Sequence, residues 1–257
     1  MIPFLTLFRK EITRFYKVIV QTVLSPILSS LLYLLVFGVS LGGSIQMKSG
    51  QPYLAFLIPG LMMMGLINNA FQNSSSSIIT SKFSGDIEDL RVSPLTHHQI
   101  IWAMGLASVV RGLLIAFLTG LVGQIFYFTQ TGEFIEVHHP LLLLLFTLCG
   151  GLIFSFCGIM IAFVAKTFDQ LSAFSSFVLL PLIYLGGVFI SVDHFSPFFK
   201  SLTMMNPLFY LINGYRYSFI GYSDVDLSHS LAMTFVAVIV TYIIAKLALQ
   251  KGSYSRW

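Results

Sequence analysis

The sequence predicts an all-α polytopic membrane protein with six transmembrane helices. Hydrophobic residues make up 56% of the chain and charged residues only 9%, and the mean hydropathy is +0.86. An ordinary soluble domain carries about 25% charged residues. The three longest charge-free runs cover residues 18–47, 49–81 and 137–165. Because a helix needs about 20 apolar residues to cross the roughly 30 Å hydrocarbon core, each run is long enough for one crossing.

Residues 3–17 form the first predicted element. Aromatic and aliphatic side chains recur there every three or four positions, while basic side chains lie on another side: Phe4, Phe8, Ile12 and Phe15 against Lys10, Arg14 and Lys17. This spacing predicts an amphipathic helix that lies in the membrane interface. The alternative is an extension of the first span.

Six spans follow in a single transmembrane domain that covers residues 1–257. Their predicted bounds are about 19–41, 53–80, 99–128, 141–165, 170–191 and 228–249. Pro26 and Pro59 lie inside the first two spans, where neighbouring groups can satisfy the freed backbone. The loops are short and leave no room for a separate catalytic domain.

The distribution of Lys and Arg predicts that both termini are cytoplasmic. This orientation places ten basic residues inside: Arg9, Lys10, Arg14, Lys17, Lys82, Arg91, Lys166, Lys246, Lys251 and Arg256. Only three then lie outside: Lys48, Lys200 and Arg216. An excess of basic residues in cytoplasmic loops is the usual pattern of membrane proteins. Their position at the ends of apolar runs also argues for anionic lipid, and not nucleic acid, as their partner.

The segment at about 195–222, before the last span, differs from the other loops. It is too apolar for a solvated loop, yet Pro197, Pro207 and Gly214 interrupt it. The segment is predicted to be a re-entrant helical hairpin in the outer leaflet, since irregular backbone is tolerated in the membrane where protein buries it.

The cytoplasmic loop between the second and third spans concentrates charge at Asp86, Glu88, Asp89 and Arg91. Such a segment can form a short amphipathic helix that ends near Ser93, because Pro94 disfavours helix in the residue before it. A docking helix for a partner and a solvated connector both fit this pattern.

Arg111 is the one charge in the middle of a predicted span. Its burial costs at least about 2.5 kcal/mol, so its side chain is expected to face the bundle interior, a water-filled cavity or a partner chain. It is either a structural arginine bonded to helix carbonyls or a residue of the transport pathway. The predicted spans hold no Asp or Glu to pair with it.

Catalytic, metal and cofactor sites are not predicted in this chain. The adjacent pairs His97–His98 and His138–His139 lack the i,i+4 spacing of helical metal ligands, and no GxSxG or HExxH motif is present. A GxxxxGK[ST] phosphate loop is also absent from the sequence. If ATP drives this protein, another polypeptide binds it.

Several segments together resemble the ABC-2 family of ATP-binding-cassette permeases, in both order and spacing. They are IPGLM at 58–62, IEDLRVSPL at 87–95, RG at 111–112, AKTFD at 165–169, PLIYLGGVF at 181–189 and NPLFYLINGYRY at 206–217. The resemblance runs over nearly the whole chain.

This resemblance implies a six-span subunit that forms a homodimer and recruits two ATPase subunits, which bind ATP and Mg. The family's coupling helix matches the segment with Asp86, Glu88, Asp89, Leu90 and Arg91. Its outer hairpin matches the segment with Asn206, Pro207, Tyr210, Gly214 and Arg216. The implied activity is export of an amphipathic, lipid-like or glycan-type substrate out across the bacterial inner membrane.

Two other functional classes remain open at the level of sequence. An ion-coupled secondary transporter or channel usually carries acidic residues within its spans, and here every Asp and Glu is assigned to a loop or flank. A membrane-embedded enzyme, such as a lipid-modifying transferase, needs an acid, base or nucleophile that Arg111 alone does not supply.

Overall fold

A computed structural model describes residues 2–40, 42 and 52–251 of the chain. The described residues fold into helices joined by short loops. Helix α1 spans Ile2–Lys17, α2 spans Ile19–Tyr33 and continues as a π-helix over Leu34–Ser40, α3 spans Tyr53–Ser84, and α4 spans Ile87–Val92. Next come α5 at His97–Thr131 and α6 at Pro140–Val164.

Several helices in the second half of the chain are short and joined by tight turns. Helix α7 (Phe168–Phe174) runs through a π-helical turn (Ser175–Leu179) into α8 (Leu180–Leu185). A single 3₁₀ turn at Val192–His194 precedes α9 (Pro197–Met205) and α10 (Pro207–Ile220). Helix α11 (Leu227–Lys251) closes the described chain.

Six helical segments of the described chain are long and apolar enough to cross a membrane, which confirms the predicted fold class. They are Ile19–Ser40, Tyr53–Ser84, His97–Thr131, Pro140–Val164, Phe168–Leu185 and Leu227–Lys251. The fifth differs from its prediction, because it ends at Leu185 and not near residue 191. Gly187 adopts φ 78°, a conformation open mainly to glycine, and the chain leaves the helix there.

Helix α3 is the centre of the bundle. In its most apolar stretch 89% of the residues are buried. The corresponding shares for the first, fifth and sixth spans are 22%, 17% and 11%. Helix α3 packs along α5 and α6 on one side and contacts α10 on another. The three outer spans leave wide apolar surfaces for lipid or another protein chain.

Helix α1 turns a face toward the bundle that differs from the predicted apolar face. Leu7, Glu11 and Phe15 are its buried residues, whereas Phe4 and Phe8 are half-buried against the same core. A carboxylate therefore lies where the periodicity alone would place only apolar side chains.

Helices α9 and α10 occupy the segment predicted as a hairpin. Helix α10 is largely buried and approaches α6 closely at Gly214, where a Cβ would overlap the ring of Phe146. Glycine is required at this contact because even a methyl group would not fit beside the buried ring.

Candidate functional site

The charged loop between the second and third spans forms α4, which both long neighbouring helices hold in place. Gly85 ends α3 in the left-handed conformation, at φ 86°, and Ser84 Oγ donates a 2.8 Å hydrogen bond to Asp86 Oδ2. Thr96 begins α5 with a capping box, in which its hydroxyl accepts from Gln99 N at 3.3 Å and its own N–H donates to Gln99 Oε1 at 3.0 Å. The loop is therefore ordered from both ends.

Helix α4 is amphipathic, with an anchored face and a free face. Ile87 is buried and Leu90 is half-buried against the same core. Glu88 and Asp89 are exposed, and Val92 is 82% exposed. Ile87 and Leu90 thus anchor the helix on the bundle. The two carboxylates and the side chain of Val92 are accessible to a partner. Arg91 belongs to the same helix.

Lys82 anchors the base of this segment to the end of α6. Its buried ammonium donates to the carbonyl oxygens of Ala162 at 2.8 Å, Phe163 at 3.2 Å and Ala165 at 3.4 Å. The last carbonyls of a helix lack intrahelical partners and carry partial negative charge, so a cation there satisfies both needs. In the sequence Lys82 is one of the basic residues predicted inside, and no local pattern indicates this role.

Arg111 lies buried between α5 and α3, and its partners differ from those expected. Its Nε donates to Asn69 Oδ1 at 3.3 Å and its Nη1 to Asn73 Oδ1 at 3.5 Å. The acceptors are therefore side-chain amides and not helix carbonyls. Nη2 has no hydrogen-bond partner within the described part of the chain, so the guanidinium keeps unused donors.

A second arginine reaches the same amide from α1. Arg14 Nη2 donates to Asn73 Oδ1 at 3.1 Å and to Asn73 O at 2.7 Å, and its guanidinium pairs with Glu11 Oε2 at 3.2 Å. Glu11 also accepts a 2.7 Å hydrogen bond from Ser77 Oγ. Sequence analysis assigned Glu11 to a flank, but only 3% of it is exposed, so the bundle does contain a buried carboxylate.

The resulting polar cluster joins three helices. Asn73 is its centre: it accepts from both arginines and donates through Nδ2 to Ser108 Oγ at 3.0 Å. Its i,i+4 neighbour Asn69 faces the same side of α3. The spacing of Glu11 and Arg14, and that of Asn69 and Asn73, was a readable signal, since i,i+3 and i,i+4 residues share a helix face.

A cavity of about 660 Å³ opens beside this cluster. Residues of α2, α3 and α7 form most of its wall, and Arg14 and Arg111 lie on it. Hydroxyl and amide side chains dominate the rest of the polar lining, including Gln21, Ser25 and Ser29 along one side of α2. The described lining residues include no carboxylate. The cavity thus combines an apolar wall with polar side chains and two arginines, between helices that a membrane would surround.

Arg216, counted as an external loop charge in the topology argument, is buried in α10 and only 1% exposed. Its Nη2 donates to Gly187 O at 2.7 Å and its Nε to Phe56 O at 3.3 Å, and the guanidinium carbon lies 3.6 Å from the centroid of the Phe56 ring. Arg216 therefore ties α10 to α3 and to the end of the fifth span. Without Arg216, the predicted cytoplasmic side still carries most of the counted Lys and Arg residues.

Hydrogen bonds also fix the turn into α10. Asn206 caps the helix, with Oδ1 accepting from Leu208 N at 3.0 Å and Nδ2 donating to Leu182 O at 2.7 Å. Pro207 follows at the first helical position, where a missing N–H costs nothing. Tyr210 donates its hydroxyl to Met204 O at 3.0 Å, which joins α10 to α9.

The loop after α10 is closed by Asp224. Its Oδ1 accepts hydrogen bonds from Ser191 Oγ at 2.8 Å and Tyr222 Oη at 2.9 Å. Burial, together with the Asp224 carboxylate, raises the pKa of Tyr222 to about 12.

No group of three or more potential metal ligands (His, Cys, Asp or Glu) occurs within residues 2–40, 42 and 52–251.

The chain is similar in sequence to known membrane transport proteins. The family model described as ABC-2 type transporter matches residues 3–220. The chain is 36% identical over 247 residues to the inner membrane transport permease YadH of Escherichia coli, covering 96% of this chain and 94% of that protein. It is 24% identical over 216 residues to the daunorubicin resistance ABC transporter permease protein DrrB1 of Streptomyces coeruleorubidus, covering 82% and 74%. It is 22% identical over 230 residues to nodulation protein J of Azorhizobium caulinodans, covering 82% and 85%.

Proposed function

Because this chain belongs to the ABC-2 type transporter family, we propose that it is the permease subunit of an ATP-driven exporter. It is a multi-pass inner-membrane protein and a transmembrane subunit of an ABC transporter. In the proposed assembly, two copies of the chain form the transport path and two ATPase subunits bind ATP and Mg on the cytoplasmic side. The substrate is an amphipathic, lipid-like or glycan-type molecule that moves outward.

The observation that carries this proposal is the two-sided character of α4. Ile87 and Leu90 fix the helix to the bundle, while Glu88, Asp89 and Val92 remain exposed. An exposed apolar side chain next to two carboxylates is the composition of a small protein-docking surface with charged residues at its edge.

The homodimer is supported by the unequal burial of the spans. The first and fifth spans flank the cavity and are mostly exposed. A second copy packed on this side would close the cavity into a central path. Cycles of ATP binding and hydrolysis then change the packing of the two copies, and the energy enters through α4 because only differential binding can shift such an equilibrium.

The proposal also assigns positions in the membrane. Both termini are cytoplasmic, α1 lies in the inner interface, and α9 with α10 re-enters the outer leaflet. The amphipathic pattern of α1 and the apolar surface of α9, where Phe198 and Met205 are 71% and 79% exposed, support these positions.

Exchange of Glu88 for Lys tests the docking role. The tagged full chain is purified from the membranes of the organism that makes it, and the bound ATP-binding subunit is identified by photo-crosslinking with an azido-ATP. Glu88→Lys is expected to lose that subunit, because reversing a charge at a partly buried interface typically costs about 2–5 kcal/mol. Glu133→Lys is the matched control, since Glu133 is equally exposed in the loop after α5, at the opposite end of that helix.

Wild-type chain and Glu133→Lys should retain the ATP-binding subunit in equal amounts. Retention by Glu88→Lys at the same level, with unchanged ATP turnover, would disprove the docking role of Glu88. ATP hydrolysis by the purified chain after complete removal of other subunits would contradict the permease assignment itself.

A further inference from the structure

The cavity beside Arg111 has a charge that its own residues do not balance. Arg14 is paired with Glu11 at 3.2 Å, whereas Arg111 has only neutral partners: it donates to the amides of Asn69 and Asn73 and lies 5.8 Å from the centroid of the Phe15 ring. The cluster of Glu11, Arg14 and Arg111 therefore carries one excess positive charge. A buried charge in a membrane protein is costly unless something compensates it, and this one lies at the wall of an open cavity.

Arg111 also has unused hydrogen-bond capacity. A guanidinium offers five N–H donors in a planar fork. Two bonds occupy Nε and one hydrogen of Nη1, and Nη2 has no partner within the described ranges. The side chain is 8% exposed and lies on the cavity wall. A guanidinium with a free edge in this position matches the two oxygens of a phosphate or carboxylate.

The shape of the cavity indicates more than a free anion. Its wall runs along α3 from Leu61 to Ser76, a length of about 22 Å at 1.5 Å per residue. The two arginines meet Asn73 toward one end, and apolar side chains lie along much of the wall, among them Leu61, Phe71 and Leu171. A ligand that fills it would place a charged headgroup at the arginines and an apolar chain against the apolar side chains of the wall.

We infer that this cavity binds amphiphiles with a phosphate-like anionic headgroup, and that Arg111 is the residue that selects their charge. The inference rests on the proposed export function and names the substrate class of that path. Arg111 Nη2 and a hydrogen of Nη1 bind the headgroup oxygens, while Arg14 stays paired with Glu11. Neutral and cationic amphiphiles of the same chain length are excluded by the uncompensated charge.

Equilibrium binding of radiolabelled octyl phosphate tests the inference. The purified full chain is placed in nanodiscs of zwitterionic lipid, and empty nanodiscs give the background. Wild-type protein should show saturable binding that unlabelled octyl phosphate displaces. Octyl glucoside, octyltrimethylammonium and inorganic phosphate should not displace it at the same concentration. Displacement by inorganic phosphate would overturn the amphiphile assignment, and displacement by the neutral or cationic compound would overturn the charge selection.

Two pairs of variants locate the site. Arg111→Gln should weaken octyl phosphate binding about ten-fold or more, the effect of losing a hydrogen-bonded charge, whereas Arg9→Gln removes an exposed arginine outside the cavity and should leave it unchanged. Ser172→Glu adds a carboxylate to the cavity wall and should weaken binding similarly. Ala173→Glu adds the same group one residue away, at an exposed position outside the lining.

Equal affinity in Arg111→Gln and Arg9→Gln would overturn the inference. If Arg111→Gln does not elute as folded protein, the comparison of Ser172→Glu with Ala173→Glu decides, because both positions are exposed. The assay contains no ATPase. A failure to recruit an ATP-binding subunit would therefore refute the proposed function without affecting this binding, and absent octyl phosphate binding would refute the inference alone.

Discussion

Substitution of Gly214 by Ala should destabilise the chain at the contact between α10 and α6. An added Cβ would lie 2.7 Å from Cε2 of Phe146, with two further atoms of that ring closer still. Ordinary carbon contacts are about 3.5–4.0 Å, and Phe146 is fully buried, with 0% exposure. The ring has no free space to move into, so the change should cost about 1–3 kcal/mol, as overpacking of a core usually does.

This cost corresponds to a fall of about 2–12 °C in the apparent melting temperature, at about 2–4 °C per kcal/mol for a chain of this size. The assay can use the chain's own thiols. Cys149 is buried and Cys157 half-buried, both in α6, so a dye that fluoresces on reaction with thiols reports when this helix is released. Measurements at one fixed heating rate are compared, since unfolding of membrane proteins is often irreversible.

A double mutant separates packing from other effects of the substitution. Phe146→Leu alone removes ring volume and should also destabilise the chain. In Gly214→Ala with Phe146→Leu, the methyl group has space, so the combined loss should be smaller than the sum by about 1 kcal/mol or more. A wild-type melting temperature for Gly214→Ala, or strictly additive losses in the double mutant, would refute the close-packing argument.

Two further predictions concern the anchor of α4 and the topology. Lys82→Met keeps the apolar stem but leaves the carbonyls at the end of α6 without their donor. It should cost about 1–3 kcal/mol of stability, measured with the same thiol assay. Lys166→Met, at an exposed neighbour, is the control, and an equal loss in both variants would rule out the capping role. In a cysteine-free background, Ser201→Cys should react with an impermeant maleimide in intact cells and Ser84→Cys only after permeabilisation. Labelling of Ser84→Cys from outside would reverse the topology.

Sequence reasoning recovered the spans because charge is excluded from hydrocarbon so strongly that charge-free runs mark them directly. It also located α4, since charge clustered before Pro94 left few alternatives for that loop. The end of the fifth span was wrong by several residues. The run stays apolar beyond Gly187, and only the backbone conformation at that glycine ends the helix.

The polar interior was the part that sequence reasoning missed. Glu11 lies among basic residues on a helix read as interfacial, and its i,i+3 spacing to Arg14 indicates an ion pair but not its burial against α5 and α3. Arg216 lies in a segment too short and too interrupted to count as a span, so its charge was assigned to the outside. Both errors share one physical cause: a charge can be buried wherever tertiary partners satisfy it, and those partners are distant in sequence. For Arg216 the acceptors are Gly187 O and Phe56 O, and for Glu11 a distant donor is Ser77.

Helices α3 and α5, which flank α4, are long enough for a small rotation at one end to displace the other end by several ångströms. They contain 32 and 35 residues, or about 48 and 52 Å of helix. Close backbone approach at Gly112, where a Cβ would lie 3.0 Å from Leu66 O, and the bonds of Arg111 to Asn69 and Asn73 join the two helices. Rotation by about 5° at the α4 end moves the far end by about 4 Å, from the helix length alone. That far end carries Phe56, whose carbonyl binds Arg216, so in the proposed assembly a displacement that begins at a docked ATPase would reach α10.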